Sequence, residues 1–277
     1  MTEHTERDLR VAVVVPCFNE AGRLDASVWL HFLEPRPWLR FAFVDDGSRD
    51  GTAALLASLE SARPDQVQVL SLAENRGKGE AVRRGLLALL DAPPAPPAAE
   101  KNVAGGAADP PELVGFWDAD LATSLSELDR FVDAFAADAR LEMLLGSRVQ
   151  LLGHHIERNP LRHYMGRVVA TLVTHILGVA VYDTQCGAKL FRATDTLRRL
   201  LAQPFLTRWI FDVEMLARWL ELRPDDAARM EVFVREMPVG AWRDVRGSRL
   251  GAIDFLRVPR DLLRIYVRYR RRAEHGA

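Results

Sequence analysis

Short apolar runs alternate with amphipathic segments through the first half of the chain. The apolar runs cover 11–16, 41–46, 67–72, 112–118 and 141–147 and include many β-branched residues. Continuous apolar runs of this length are typical of strands buried on both faces. The segments between them predict helices over 21–33, 51–62, 79–90 and 125–137. This alternation predicts a Rossmann-like α/β fold with a doubly wound, mostly parallel sheet.

The alternation stops after Arg148. The pattern beyond it predicts a helix over 161–177, a strand over 188–193, a helix over 210–222 and a strand over 230–239. A last helix is expected over 253–272, where Pro259 would kink or restart it. We therefore expect a mixed C-terminal part that ends in an amphipathic helix.

The length of 277 residues and the apolar content of 48% fit one α/β domain with its own core. We place this domain at 10–240, after a polar tail at 1–9 and before a basic amphipathic segment at 241–277. Residues 92–112 are rich in Pro, Ala and Gly, and they predict a flexible insertion within the domain.

Charge and cysteine content argue against several classes of protein. A formal net charge of -1 gives no indication of a nucleic-acid partner. Cys17 and Cys186 lie far apart and lack zinc-binding spacing, so we expect two reduced thiols. The polar N-terminus is unlike a signal peptide, and the most apolar run, 168–182, is shorter than the ~20 residues of a spanning helix. We expect a cytoplasmic protein without a transmembrane helix; the sequence indicates no oligomeric state.

Polar side chains follow the predicted strands at their carboxyl ends, where doubly wound sheets bind ligands. The fourth strand ends in Asp118, Ala119 and Asp120. Alternate residues of a strand share a face, so we expect both carboxylates to face one cleft. A divalent cation would relieve their repulsion, and Mg²⁺ or Mn²⁺ bridges carboxylates to phosphates. The pair predicts a site for a metal-bound nucleotide diphosphate; the alternative is a pair of solvated turn acids.

Five motifs occur in order at predicted strand ends: VVVPCFNEAGRL, FVDDGSRDGT, ENRGKGEAVRRG, WDADLAT and GSR. This set resembles the family 2 inverting glycosyltransferases, whose fold is called GT-A. The later segments DTQCGAKLFR, RWIFDVEML and GSRLGAIDFLRVPRDLLRIYVRY resemble the dolichyl-phosphate β-glucosyltransferases. The related mannose synthases usually have Gln just after the D-x-D motif, where this chain has Ala122.

The resemblance implies metal-dependent, inverting transfer of a hexose, namely glucose from UDP-glucose, to a polyprenyl or dolichyl phosphate. The cation, Mg²⁺ or Mn²⁺, would act as a Lewis acid on the leaving diphosphate. The donor-site residues that it implies are Pro16, Glu20 and Asp46 around uridine, Arg76 or Lys78 at the diphosphate, and Asp118, Ala119 and Asp120, with Asp120 as the principal metal ligand. Arg148 and Arg162 match the arginines that hold the acceptor phosphate in the related mannose synthases.

The acceptor decides whether the reaction needs a general base. A lipid phosphate already carries negative charge near neutral pH, so the protein has only to position and partly neutralise it. An alcohol acceptor would need a base, for which Asp183 and Asp212 are the candidates; either can equally be structural. Lys189 can contact a phosphate or lie at the surface.

The terminal segment bears on the partners. Arginines recur there every three or four residues beside an apolar stripe, and 242–277 carries ten arginines against four acidic residues. Such a helix can lie on an anionic membrane or dock on the core. We expect a nucleotide-sugar donor, a lipid-phosphate acceptor and peripheral contact at the inner face of the membrane. The alternatives are a soluble family 2 enzyme acting on a sugar or small-molecule hydroxyl, and a non-catalytic nucleotide-sugar-binding module.

Overall fold

The structure is a computed structural model that describes residues 9–91, 110–157, 160–245 and 252–273. The strands are β1 (Val11–Cys17), β2 (Leu39–Asp45), β3 (Val67–Ser71), β4 (Leu113–Trp117), β5 (Met143–Ser147), β6 (His155–Glu157), β7 (Ala188–Arg192), β8 (Val234–Pro238) and β9 (Ala241–Arg243). The helices are α1 (Ala26–Leu33), α2 (Thr52–Ala62), α3 (Lys78–Asp91), α4 (Glu127–Ala137), α5 (Pro160–Leu177), α6 (Asp195–Leu201), α7 (Phe211–Leu222), α8 (Met230–Phe233) and α9 (Ala252–Ala273). A 3₁₀ helix covers Pro224–Arg229.

Seven of these strands form one sheet, in the order β3-β2-β1-β4-β7-β5-β8. β7 runs antiparallel to β4 and β5, and the other neighbouring pairs are parallel. Val11 lies opposite Leu39 on one side and Leu113 on the other, so β1 is central in the parallel part. β6 and β9 form a separate two-stranded sheet. The predicted doubly wound, mostly parallel α/β sheet is confirmed.

The continuous apolar run of β1 follows from burial on both faces of the sheet. Val11, Val13 and Val15 enter a core formed with α1, α2 and α4. Ala12 and Val14 enter a second core on the other face, formed with α3, α6 and α7. Full burial of one such valine side chain contributes about 1.5–3 kcal/mol. A strand in this position therefore has no room for a polar residue until it reaches its carboxyl end.

A third and smaller core joins α5, α7 and α9. Val173 of α5, Val213 of α7 and Ile265 of α9 are buried in it together. This cluster places the terminal helix against the helix that carries Asp212. The C-terminal elements are thus fixed to the same side of the sheet as α7.

Several element boundaries differ from the sequence predictions. α1 begins at Ala26 instead of residue 21 because Asp25 caps it, accepting a hydrogen bond from the backbone N–H of Ser27 at 3.0 Å. The predicted strand over 230–239 is wrong in its first part, where Met230 and Phe233, three residues apart, form a helical turn against the second core. Helix α6 and the β6–β9 pair were not predicted.

Three predicted segments lie partly or wholly outside the described residues. These are the polar tail at 1–8, most of the Pro-rich insertion at 92–109, and 246–251 with 274–277 in the terminal segment. Within the described ranges, no helix combines the length and apolar character needed to span a bilayer.

Candidate active site

The carboxyl ends of β1, β2 and β4 lie side by side and bring the predicted donor-site residues to one edge of the sheet. Asp46 follows β2 and is 3% exposed. Its two carboxylate oxygens accept hydrogen bonds from the backbone N–H groups of Arg76 at 2.7 Å and Gly77 at 2.8 Å. Burial raises the pKa of Asp46, although these two donors favour its ionised form. Asp46 therefore holds the loop that leads into α3 and Lys78.

Gly47 makes this approach of two loops possible. It has a φ of +70°, in the left-handed region, and a Cβ atom there would lie 2.7 Å from the backbone carbon of Glu74. Any other residue would push the loop before α3 away from Asp46. Beside it, Asp45 accepts a hydrogen bond from the backbone N–H of Ser48 at 2.9 Å, so Asp45 supports the turn.

Glu20 lies after β1, is 6% exposed and binds Arg23 through both oxygens, at 2.9 Å and 2.5 Å. This hydrogen bonding raises the pKa of Arg23, and the charges of Asp120 and Asp118 act in the same direction. Arg23 thus contributes positive charge near the acidic pair. Arg23 was not predicted as a site residue, because arginines are so common in this chain that a single one is weak evidence.

Asp118 and Asp120 come together at the end of β4, but a turn rather than the strand places them. The strand ends at Trp117, and Leu121 has a φ of +52°. The expectation that strand alternation alone aligns the two carboxylates is therefore wrong. Burial and the charge of Asp118 both raise the pKa of Asp120. The predicted repulsion between the two acids is present.

Lys78, the first residue of α3, reaches this pair. Its Nζ lies 2.5 Å from Oδ1 of Asp118. Burial alone would lower the pKa of Lys78, but the charges of Asp118 and Asp212 outweigh it and raise the pKa. The side chains of Lys78 and Asp118 remain 18% and 32% exposed. Their ion pair is therefore open to the cleft.

Gly187 is the neighbour that allows this position of Asp118. A Cβ atom on Gly187 would lie 1.9 Å from Oδ2 of Asp118. The two backbone segments are also hydrogen-bonded at this point: the N–H of Asp118 donates to the carbonyl of Gly187 at 2.9 Å. Gly187 was not singled out in the sequence, since nothing there indicates that β7 inserts antiparallel beside β4.

A second lysine–aspartate pair lies behind the first. Lys189 of β7 places its Nζ 2.7 Å from Oδ1 of Asp212 at the start of α7. The two side chains are 2% and 6% exposed, so Lys189 is buried and the expectation of a possible surface position is wrong. Burial raises the pKa of Asp212, while Lys189 and Lys78 favour its charged form. The ring of Phe116 lies 5.4 Å from Nζ of Lys78 and 5.0 Å from Nζ of Lys189.

Arg148 and Asp183 form a third pair, at the end of β5. The Arg148 guanidinium donates to both Asp183 oxygens, at 2.6 Å and 2.8 Å, and its backbone N–H donates to the same carboxylate at 3.0 Å. Asp183 outweighs the effect of burial and raises the pKa of Arg148. The backbone N–H of Asp183 donates a hydrogen bond to a carboxylate oxygen of Glu236 at 2.7 Å, which holds Asp183 in position. This carboxylate is therefore engaged in orienting Arg148.

The loop before α7 contributes two further residues near the cleft. Arg208 donates to the carbonyl of Asn75 at 3.1 Å, and its carbonyl accepts the N–H of Gly79 at 3.1 Å. The ring of Trp209 lies 5.6 Å from Nζ of Lys78. Arg208 contacts the loop that Asp46 holds, and Trp209 contacts Lys78. Neither was predicted as a site residue, because both lie far from that loop in sequence.

The remaining predicted residues are placed as follows. Pro16 lies near the end of β1, opposite Val44 of β2. Ala119 is buried between the two aspartates. Arg162 lies in the first turn of α5, and its side chain is outside the described part of the structure. Arg76 pairs with Glu74 at 2.8 Å.

The donor set for a cation consists of two carboxylates. Among the described residues, no group of three or more His, Cys, Asp or Glu side chains is arranged to hold a metal ion. Mg²⁺ and Mn²⁺ do not require such a group, because one or two carboxylates can be completed by substrate phosphates and water. Asp118 and Asp120 therefore fit a cation that binds together with a diphosphate.

Comparisons with known proteins identify the family of this chain. The family model described as "Glycosyl transferase family 2" matches residues 12–90. The dolichyl-phosphate beta-glucosyltransferase of Drosophila melanogaster is 33% identical over 94% of this chain and 76% of its own length. The Saccharomyces cerevisiae enzyme of the same name is 29% identical over 97% of this chain and 78% of its own length.

Among solved structures, glucosyl-3-phosphoglycerate synthase of Mycobacterium tuberculosis has the same fold. It superposes with a TM-score of 0.61 and 15% identity, over 95% of this chain and 81% of the other. Its complex with Mn²⁺, UDP-glucose and phosphoglyceric acid superposes with a TM-score of 0.56 and 17% identity, over 94% and 80% of the two chains. The GT-A arrangement of the sheet is thereby confirmed.

Proposed function

Because the chain belongs to glycosyl transferase family 2, in the branch of the dolichyl-phosphate beta-glucosyltransferases, we propose that it transfers glucose from UDP-glucose to a polyprenyl phosphate. The two relatives support the sugar and the lipid-phosphate acceptor through their names. The UDP-glucose and Mn²⁺ bound by the mycobacterial neighbour support the donor and the metal. Membership of this family also makes the chain an enzyme, so the alternative of a non-catalytic binding module is not retained.

We assign the donor to the edge formed by β1, β2 and β4. Pro16, Glu20 and Asp46 would line the uridine pocket, and each Asp46 oxygen keeps a second lone pair that can accept a hydrogen bond from the base. Lys78 would exchange Asp118 for a diphosphate oxygen when the donor and cation bind. The exposure of this ion pair and its position at a helix start support that exchange.

Asp118 and Asp120 would hold Mg²⁺ or Mn²⁺ together with the donor diphosphate. The raised pKa of Asp120 supports this assignment, because two adjacent carboxylates are stabilised by a cation. The missing Cβ of Gly187 leaves room for the Asp118 oxygen. When bound, the cation supplies Lewis-acid stabilisation of the leaving diphosphate.

The transfer itself is a single displacement. An oxygen of the acceptor phosphate forms a bond to the anomeric carbon as the bond from that carbon to UDP breaks, and the electron pair leaves with UDP. Attack from the opposite face gives a β-linked product from an α-linked donor. Arg148 and Arg162 would hold the acceptor phosphate, and guanidinium forks suit its oxygens.

No general base is needed for a phosphate nucleophile. We therefore assign positioning roles to Asp183 and Asp212. Asp183 orients Arg148 with both oxygens, and Asp212 neutralises buried Lys189. These contacts support the structural interpretation that the sequence left open.

We propose that the enzyme works at the inner face of the membrane as a peripheral protein. The arginine row of α9 supports this location: Arg260, Arg264 and Arg268 are exposed. Anionic lipid attracts such a row.

The observation that carries the proposal is the acidic pair at the end of β4 beside Lys78, in a chain of this family. The test is transfer of radiolabel from UDP-glucose to a short-chain polyprenyl phosphate, with and without Mn²⁺. Water-soluble hydroxyl acceptors and a panel of other nucleotide sugars run in parallel. Metal-dependent labelling of the lipid phosphate is expected; labelling only of a soluble hydroxyl, or only from another donor, would refute the proposal.

A further inference from the structure

Among the described residues, the exposed large apolar side chains are concentrated on two helices that pack together in the third core. The described residues expose nine large hydrophobic side chains, and six of them lie on α5 and α9. On α5 they are Tyr164, Met165, Val168 and Leu172, at 70%, 40%, 61% and 44% exposure, and on α9 they are Leu263 and Val267, at 58% and 43%. We call these six residues the α5–α9 apolar surface. Clusters of this kind mark interaction sites, whereas single exposed apolar residues do not.

The α5 part of this surface is a regular stripe. Tyr164, Val168 and Leu172 recur every four residues and so lie on one side of the helix. Ala170 and Val173, turned toward the core, are buried. α5 is thus apolar on two sides, one against the protein and one against solvent.

Positive charge borders the α9 part of the surface. Arg260 and Arg264 are 65% and 51% exposed and share Asp261, at 3.2 Å and 3.8 Å. Arg268 is 41% exposed and lies 3.7 Å from Glu221. The described side chains of α9 include four arginines and a single acidic residue. An apolar surface bordered by arginines is complementary to an anionic lipid surface, where apolar groups enter the headgroup boundary and arginines bind phosphates.

Helix α5, which carries four of these six residues, adjoins the proposed acceptor side of the site. Arg167 of α5 donates to the carbonyl of Tyr182 at 3.0 Å, and its guanidinium carbon lies 4.0 Å from the Tyr182 ring. Tyr182 directly precedes Asp183, the partner of Arg148. A membrane held against α5 would bring lipid headgroups toward the Arg148–Asp183 pair.

We propose that the α5–α9 apolar surface is the membrane-docking face of the enzyme, with the Tyr164–Val168–Leu172 stripe of α5 as its inserted part and an anionic bilayer surface as its partner. The inference rests on the proposed lipid-phosphate acceptor and deepens it. It differs from contact through the arginines of α9 alone, because it assigns insertion to α5.

The test is flotation of the full chain with vesicles that contain no polyprenyl phosphate and no nucleotide. One set is phosphatidylcholine with phosphatidylglycerol, and the other is phosphatidylcholine alone. The wild-type chain should float with the anionic set and much less with the neutral set. Val168→Glu combined with Leu172→Glu should lower the partition coefficient about tenfold or more, because two apolar contacts are replaced by charges.

Val28→Glu is the matched control. Val28 is 42% exposed on α1, and α1 packs on the opposite face of the sheet from α7. This variant should float like the wild-type chain, and Arg264→Ala should lower partition to anionic vesicles about fivefold. Melting temperatures of all variants should match that of the wild type, since these side chains are exposed.

Two outcomes would overturn the inference: a wild-type chain that does not float with anionic vesicles, or an α5 variant that floats as well as the wild type. These outcomes are independent of catalysis, because the vesicles hold no acceptor. Transfer to a short-chain acceptor in solution reports separately on the proposed function. If the chain floats as expected but transfers no label to lipid phosphate, the proposed glucosyl transfer is refuted, while the proposed membrane-docking face is still supported.

Discussion

Two lysine–aspartate pairs lie beside the ring of Phe116, and their surroundings differ. Lys78 and Asp118 meet at the cleft with side chains 18% and 32% exposed, whereas Lys189 and Asp212 meet behind it at 2% and 6%. A partly solvated pair contributes little to stability and can exchange partners at small cost. A buried pair is costly to separate, because the remaining charge has no solvent. The comparison indicates that the first pair serves ligand exchange and the second holds the site in place.

The largest expected effect is a loss of turnover when the acidic pair of Asp118 and Asp120 is disrupted. Asp120→Ala should lower metal-dependent glucosyl transfer by about three orders of magnitude, since the Lewis-acid contribution of a bound cation amounts to several kcal/mol. The melting temperature should stay within a few degrees of wild type, because the variant removes a half-buried carboxylate that Asp118 repels. Single-turnover assays and thermal unfolding measure the two effects. Asp65→Ala, at an exposed position, is the control; equal turnover in both variants would contradict the metal assignment.

Breaking the buried pair should instead affect stability. Lys189→Met leaves the Asp212 carboxylate buried without its partner and should lower the free energy of unfolding by about 3–5 kcal/mol. Urea unfolding followed by circular dichroism gives this value. Adding Asp212→Asn should restore part of the loss, because the unpaired charge is removed. If Lys189→Met unfolds like the wild type, the distinction between the two pairs fails.

Breaking the cleft pair should affect donor binding. Lys78→Met should raise KM for UDP-glucose about tenfold to a hundredfold, the equivalent of one hydrogen bond to a charged group. The free energy of unfolding should change by less than about 1 kcal/mol. Steady-state kinetics beside urea unfolding test both values. A large loss of stability with unchanged KM would assign Lys78 a structural role.

A smaller effect is expected where α9 meets α7. The hydroxyl of Tyr269 donates to Glu214 at 2.9 Å and accepts from Arg218 at 3.0 Å. Tyr269→Phe should lower the free energy of unfolding by about 1 kcal/mol. Burial, followed by the charge of Glu214, raises the pKa of Tyr269 to about 12.

This shift gives the Tyr269 contact a pH dependence. The folded-state pKa lies above the unfolded value of about 10, so the hydroxyl stabilises the fold fully below pH 10 and less as the pH rises toward 12. The wild type should therefore lose stability across this range more steeply than Tyr269→Phe. Urea midpoints at several alkaline pH values measure the slopes, and parallel slopes would speak against the contact.

The parallel part of the sheet could be predicted from sequence because each strand is a continuous apolar run that ends in polar residues. β1 is the clearest case, since Val11 to Val15 alternate between two cores. The pairings that complete the site could not be predicted. They depend on β7 entering antiparallel between β4 and β5, which brings Gly187 and Lys189 beside residues more than 60 positions away. For the same reason, the sequence did not predict the ion-pair partners of Arg148 and Lys189.

Binding of Mn²⁺ in the presence of UDP tests the central claim most directly. Electron paramagnetic resonance of free Mn²⁺ can be followed while the wild-type chain and Asp120→Ala are titrated, each with and without saturating UDP. The account predicts tight Mn²⁺ binding by the wild type only when UDP is present, and its loss in Asp120→Ala. Equal Mn²⁺ binding by both chains, or binding that does not depend on UDP, would contradict it.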